Sequence, residues 1–308
     1  MMRSLAPIVL FVYNRPEHTK LVLESLYNNR LADESRLWIL VDGPKPGATE
    51  EALNAIAEVK KVIREKKWCK EVTIIEAPEN KGIIKATVDG VTKLVNEFGR
   101  VIVMEDDNLA SPGFLTYMND ALDYYENNPE VMHISGYVSP EFNEVKVKQS
   151  TFFYCLTMTW GWGTWKRAWD KFDPDPLSVW KAVKRKGNIK RLNMDHTFEF
   201  FWGLKAVAKG KLRSWCATWQ SVVFLNDGLC LYPQKSLVSN IGHDGSGTNC
   251  LPDSRHKIDF ESLADSIPVT AIPLKENEEI RKHNSQIHSF KYKVIFRVKY
   301  YLRYLIRY

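Results

Sequence analysis

The densest chemistry in the sequence is Glu105-Asp106-Asp107, three successive carboxylates set directly after the apolar run Val101 to Met104. Like charges crowded at the end of a buried strand are costly unless a cation relieves them. Hard divalent ions such as Mg²⁺ or Mn²⁺ take carboxylate oxygens and keep positions open for phosphate oxygens. The plainer alternative is a solvated acidic turn ahead of the next helix, capped by Ser111-Pro112. Three other apolar runs also end on polar groups: Asn14-Arg15, Asp42, and Asn80-Lys81. Together they make four polar strand ends suited to a phosphate-bearing ligand.

The elements that must position these residues follow from the hydrophobic pattern. Ile8 to Tyr13, Leu37 to Val41, Val72 to Glu76 and Val101 to Met104 read as strands. Helices are expected between them: one opened by Pro16 with Leu21, Val22, Leu26 and Tyr27 as its apolar side, one over Glu50 to Lys67, and one over Ile84 to Phe98. Such alternation predicts an α/β, doubly wound, mostly parallel sheet whose ligands gather at the carboxyl ends of its strands. Beyond about Val145 the pattern degrades. Eight of the ten tryptophans fall between residues 150 and 250, which reads as a second, aromatic-rich subdomain. The expected divisions are 1–145, 146–262 and 263–308.

Charge and cysteine usage exclude several classes. The 308 residues carry a formal charge of +6. From Arg281 to Tyr308 there are eight basic residues and no acid, which leaves −2 on residues 1–280. A basic nucleic-acid-binding core is therefore not expected, and nucleic acid is not a predicted partner. Cys69, Cys155, Cys216, Cys230 and Cys250 form no Cys-x-x-Cys pair, so zinc knuckles and redox motifs are absent and reduced cytoplasmic thiols are expected. The short run at Ile8 to Tyr13 lacks a cleavage site, and no stretch approaches the roughly 20 apolar residues of a membrane span.

The ordered motifs Pro7 to Arg15, Val41-Asp42-Gly43, Asn80-Lys81-Gly82, Val103 to Phe114, Thr159 to Trp169 and Asn240 to Thr248 resemble GT-A glycosyltransferases. The likeness is to bacterial members of the family 2 type and to the N-acetylglucosaminyltransferase I group, and it covers about residues 6–250. It implies a GT-A (Rossmann-like) sheet carrying an aromatic-rich acceptor subdomain. Matched position by position, it implies that Arg15 contacts the nucleotide diphosphate, Asp42 the pyrimidine edge and Lys81 the nucleotide. Asp106 would face the ribose or sugar, and Asp107 and Glu105 would ligate Mn²⁺ or Mg²⁺. His243, in the loop Gly242-His243-Asp244-Gly245, would approach the diphosphate as a lid closes.

Around the sugar, Trp160 or Trp162 is expected to stack on the ring, with Trp165 and Trp169 in the core; glycines at 161 and 163 permit close approach. An inverting transferase needs a carboxylate base. The stretch Ser214 to Trp219, where the resemblance would place it, has no acid. Asp195 and Glu199, spaced i and i+4 on a segment that reads as helical, are the alternatives.

The tail reads as an amphipathic helix, with Phe290, Val294, Val298, Tyr301, Leu302 and Leu305 on one side and an aromatic row, Tyr292, Phe296, Tyr300 and Tyr304, within the basic face. Tyrosine with lysine and arginine suits an anionic membrane surface, which predicts a cytoplasmic enzyme peripheral on the inner face of a membrane. Packing on the body, a protein partner and RNA are the other uses of such a helix. The resemblance implies transfer from a nucleotide-diphosphate sugar, a UDP-sugar, to a glycan or lipid-linked acceptor in surface polysaccharide synthesis. A sugar nucleotidyltransferase would need a glycine-rich triphosphate loop after the first strand, where Asn14-Arg15-Pro16-Glu17 stands instead. A non-catalytic nucleotide- or glycan-binding module is the reading from another class.

Overall fold

The continuous apolar run near the N-terminus forms β1 (Ile8–Val12), buried at every position as the middle of a two-sided sheet requires. The computed structural model describes residues 4–145, 147–195, 197–245 and 258–287. Pro16 opens α1 (Pro16–Tyr27), its missing N–H costing nothing at the first helical turn. The buried side of α1 is Thr19, Val22, Leu23 and Leu26. Leu21 and Tyr27, expected inward, are 52% and 47% exposed, because 3.6 residues per turn aligns 19, 22, 23 and 26 on the sheet side. There follow β2 (Arg36–Val41), α2 (Glu50–Val62), β3 (Glu71–Glu76), α3 (Gly82–Phe98) and β4 (Arg100–Glu105).

These four strands pair in parallel in the order β3-β2-β1-β4. All four therefore deliver their carboxyl ends to one edge, as the sequence pattern required. The chain continues through β5 (Asn108–Ala110), α4 (Phe114–Tyr124), β6 (Val131–Ser135), β7 (Thr151–Tyr154) and β8 (Trp162–Trp165). Next come α5 (Lys166–Trp169), α6 (Pro176–Lys186), α7 (Ile189–Leu192), α8 (Phe200–Ala208), α9 (Trp215–Leu225), β9 (Leu229–Pro233), β10 (Val238–Asn240) and α10 (Glu278–Ile287). The sheet extends past β4 as β8-β6-β9-β7, with β8 and β7 antiparallel to their neighbours and β6 parallel to β9. Strands from both sides of residue 145 thus share one mixed, mostly parallel eight-stranded sheet.

Alternation along β1 feeds a core on each face: Ile8, Leu10 and Val12 on one side, Val9 and Phe11 on the other. The second core takes most of the aromatic excess. Trp162, Trp169, Trp215 and Trp219 nest with ring centroids 5.0–6.5 Å apart. His133 stacks on Trp162 at 5.2 Å. Trp219 Nε1 donates to His133 Nδ1, so the other ring nitrogen, Nε2, donates to the Met158 carbonyl. Burial holds His133 down at about 4, so it stays neutral.

The sheet's last strand, β7, is covered by the segment that leads into α10. Asn277 N–H donates to the Phe153 carbonyl, Asn284 Nδ2 to Tyr154 Oη, and Ile280 is fully buried. The amphipathic stretch Phe290 to Leu305 lies outside the described residues. No helix among the described residues is long and apolar enough to cross a membrane.

Candidate active site

The site is built at the shared strand edge from two carboxylate brackets. The first is Asp42, at the end of β2. Asp42 Oδ1 accepts from Gly43 N–H (3.0 Å) and Lys81 N–H (2.7 Å), and Oδ2 accepts from Asn80 Nδ2 and Gly82 N–H (both 2.9 Å). The Asp42 carboxylate, expected on a pyrimidine edge, is thus spent on bracing the 80–82 loop that starts α3. Lys81 sits on that loop with its ammonium toward Asp89, 4.0 Å away. Gly43 is required here by close approach: a Cβ would stand 2.5 Å from the Glu79 backbone.

The second bracket is the acidic triplet. Asp106 and Asp107 are buried, and the guanidinium of Arg15, at the start of α1, spans both. Nη2 donates to Asp106 Oδ1 and to Asp107 Oδ2 (2.9 Å), and Nε donates to Asp106 Oδ2 (3.3 Å). The cation that relieves the clustered charge in this structure is therefore a side chain. Burial alone would lower the Arg15 pKa, but the hydrogen bond and charge of Asp106, then Asp107, outweigh it and raise it. Asp106 is nonetheless shifted up, because burial exceeds the pull of Arg15. Desolvation, then the charges of Asp107 and Asp106, push Glu105 up to about 8 against Arg15.

A short antiparallel ribbon, β5 with β10, brings a distant loop over this pair, aligning Asn240 with Asn108. Asp107 Oδ1 accepts from Asn108 Nδ2 (2.7 Å) and Asn240 Nδ2 (3.1 Å). The Ile241 N–H donates to the Asp107 carbonyl. Gly242 then packs so tightly that a Cβ there would overlap Asp107 Oδ2. Beyond it His243 meets the edge of Trp160 at 5.3 Å, and Asp244 pairs with His18 at 3.2 Å. The Asn240–Gly242 segment of the loop expected to act as a lid packs against Asp107.

Of the two sugar-stacking candidates the structure separates one from the site. Trp160 is half-buried beside His243 and Tyr137. Trp162 has no exposed surface, so the expectation that it faces a sugar is corrected; it is core, as are Trp165 and Trp169. The helical reading of Asp195 and Glu199 is also corrected. Asp195 sits in a turn at φ +57, and Glu199 precedes α8 at φ −110, so the two are not on successive turns of one helix. Asp195 is held by Arg281 Nε (2.6 Å) and Nη2 (3.1 Å), which lowers its pKa. That pairing makes it a poorer proton acceptor.

Sequence reasoning missed Asn108 and Asn240, which orient Asp107, and Arg213, whose guanidinium lies 3.7 Å from where a Cβ would stand at Gly82. The signal for both asparagines was present: Asn108 lies inside the Val103 to Phe114 motif and Asn240 opens the Asn240 to Thr248 motif. Nothing in local pattern foretold Arg213, because its approach depends on α9 packing beside the site. The start of α9 is close enough that the charge of Glu105 raises the Cys216 thiol pKa, behind the larger effect of burial.

Residues 8–185 match the family described as "Glycosyl transferase family 2". That match spans more than half of the chain and contains both carboxylate brackets. The chain belongs to glycosyl transferase family 2. Among curated protein sequences, nothing matches it. Among solved structures, this family 2 chain is similar to TarS of S. aureus at 12% identity, TM-score 0.28, with 42% of this chain and 21% of that chain covered. A shorter TarS structure, residues 1–349, gives 10% identity and TM-score 0.41, covering 78% of this chain and 62% of that one. Mouse xyloside xylosyltransferase 1 in its apo form gives 10% identity and TM-score 0.34, covering 75% and 97%. The chain spans about a fifth of the full TarS chain and under two thirds of the shorter one.

Proposed function

We propose that the chain transfers a glycosyl group, with inversion, from a nucleoside-diphosphate sugar to a glycan or lipid-linked acceptor in surface polysaccharide synthesis. A UDP-sugar is the donor this reading favours. The observation that carries it is Arg15 laid across Asp106 and Asp107 with its Nη1 buried and unpartnered among the described residues. A buried N–H with no acceptor marks a place for one, and a diphosphate oxygen is the acceptor that this family's donors bring.

The donor set also fits Mn²⁺ or Mg²⁺. Asp106 and Asp107 present hard carboxylate oxygens side by side, held there by one cationic group. When bound, such an ion supplies positive charge against the leaving diphosphate. Arg15 would then turn from the carboxylates toward phosphate, keeping positive charge at the bond that breaks. Asn108 and Asn240 hold the Asp107 carboxylate in one orientation throughout. The 240–245 loop, closed over Asp107, excludes water that would otherwise hydrolyse the donor. Trp160 borders the sugar beside His243, and the basic tail keeps the enzyme on the cytoplasmic face of an anionic membrane.

The test is transfer or hydrolysis of a panel of nucleotide sugars with Mn²⁺ present, against Asp107→Ala. Turnover that Asp107→Ala abolishes supports the proposal; failure to bind any nucleotide sugar, with or without metal, sinks it. A second reading, a non-catalytic module, draws on the acid-free start of α9 and on Asp195 being tied to Arg281. It expects UDP binding without turnover on any acceptor.

A further inference from the structure

The charge of this protein is segregated within its body as well as along its sequence. Residues 176–213, which contain α6, α7 and α8, hold ten Lys and Arg against Asp195 and Glu199, a net +8. With −2 on residues 1–280 as a whole, the remainder of that body carries −10. Lys186, Lys190 and Arg191 are engaged with carboxylates. Lys181, Lys184, Arg185, Lys209 and Arg213 are exposed.

The same face is aromatic and apolar. Trp202 on α8 is 48% exposed, and Leu177 on α6 is 40% exposed, one turn before Trp180. Lys205 lies over both Trp202 (4.6 Å) and Trp180 (6.0 Å), and Lys184 over Trp180 (5.7 Å). Phe201 links the two helices, 6.4 Å from Trp180. A soluble polyanion would need only the cations. Exposed indole and leucine interleaved with lysine instead suit a bilayer interface, where rings sit at headgroup depth and ammonium groups meet lipid phosphates.

We propose that the face formed by α6, α8 and the Lys209–Arg213 segment docks on an anionic lipid bilayer. The surface ends at the active site, since Arg213 reaches Gly82 at the start of α3. On the function proposed above, docking there would set the donor site beside the headgroup of a lipid-linked acceptor. The docking itself stands independently of that reaction and of the tail.

The test uses the full chain with phosphatidylglycerol-containing and pure phosphatidylcholine vesicles. Neutralising a lysine near an anionic surface weakens binding about fivefold, so Lys181→Gln/Lys184→Gln/Lys209→Gln should lose roughly a hundredfold. All three side chains are exposed, and an unchanged melting temperature verifies that the variant folds. Brominated lipid should quench a fraction of the tryptophan emission that disappears in Trp202→Phe. Unchanged vesicle affinity in the triple variant, or equal quenching in Trp202→Phe, overturns the proposal. So does loss of binding to a soluble phosphate-bearing glycan with vesicle binding intact, which would assign the face to an acceptor polymer.

Discussion

Replacing Arg15 by glutamine tests the electrostatic logic of the site without any substrate. Arg15 is 17% exposed and the Asp106 and Asp107 side chains 8%, so the three charges are held largely out of water. Removing one partner of a buried ion pair costs about 3–5 kcal/mol, because the other charge is left uncompensated. The residual exposure argues for the lower end, about 3 kcal/mol. At about 2–4 °C per kcal/mol for a chain of this size class, the melting temperature should fall by about 6–12 °C in chelator at neutral pH. The deficit should shrink on acidification. Asp106 already binds its proton more tightly folded than unfolded, so its ionisation weakens the fold as pH rises through the folded value. Without Arg15 that value climbs further and the weakening grows at neutral pH, while below about pH 4 both variants are protonated and converge. Arg15→Lys, keeping one charge but not the fork, should fall between. Scanning fluorimetry across pH measures all three proteins. An Arg15→Gln protein that melts with the parent in chelator at neutral pH would refute the reasoning, since the triplet would then be relieved by something else.

Other substitutions separate parts of the fold. Gly43→Ala drives a Cβ to 2.5 Å from the Glu79 backbone and should cost about 1–3 kcal/mol in urea unfolding while loosening the 80–82 loop. Trp162→Ala should cost about 3–5 kcal/mol, whereas Trp160→Ala, at the half-buried rim, should leave stability far closer to the parent and reduce donor affinity by calorimetry. Ile280→Ala empties a fully buried position on the inner side of α10 and should cost about 2–5 kcal/mol. Arg281→Ala breaks a pair that is 45% exposed on the arginine side and should cost under about 1 kcal/mol, which hydrogen exchange of the α10 amides can resolve.

The N-terminal half, β1 to β4, was legible because local pattern and global fold coincide there. Each of β1 to β4 is an apolar run interrupted by polar residues at its carboxyl end, and each lies within two residues of its expected bounds at either end. The acidic triplet was legible for the same reason, as three charges have no place in the middle of a parallel strand. What escaped was set by tertiary packing. Asp195 and Glu199 have helical spacing, yet Met194 and Asp195 adopt positive φ and the chain turns between them. Trp160 and Trp162 differ by two residues in a motif of alternating tryptophan and glycine. Only the antiparallel pairing of β8 with β4 and β6 decides that Trp162 points into the core.

Net charge taught a related lesson about scale. A total of +6 pointed to nucleic acid, and splitting off the tail removed that reading by leaving −2 on the body. A body of −2 looks neutral while holding a segment of +8 against −10 elsewhere. Those opposite charges do not cancel, since electrostatic interactions across a surface are screened within about 8–10 Å at physiological salt. The consequence is a division of labour by position. The acidic strand edge concentrates cationic partners around Asp106 and Asp107, and Arg15 supplies one from within the chain. The basic face of α6 and α8, which on the docking proposed above would meet an anionic bilayer, carries the opposite charge and meets that edge only through Arg213. If salt weakens vesicle binding steeply while leaving the stability gap between parent and Arg15→Gln unchanged, the two charge systems are independent. Equal salt dependence of both would mean that the buried pair at Arg15 is open to solvent ions and that its stabilisation has been assigned to the wrong environment.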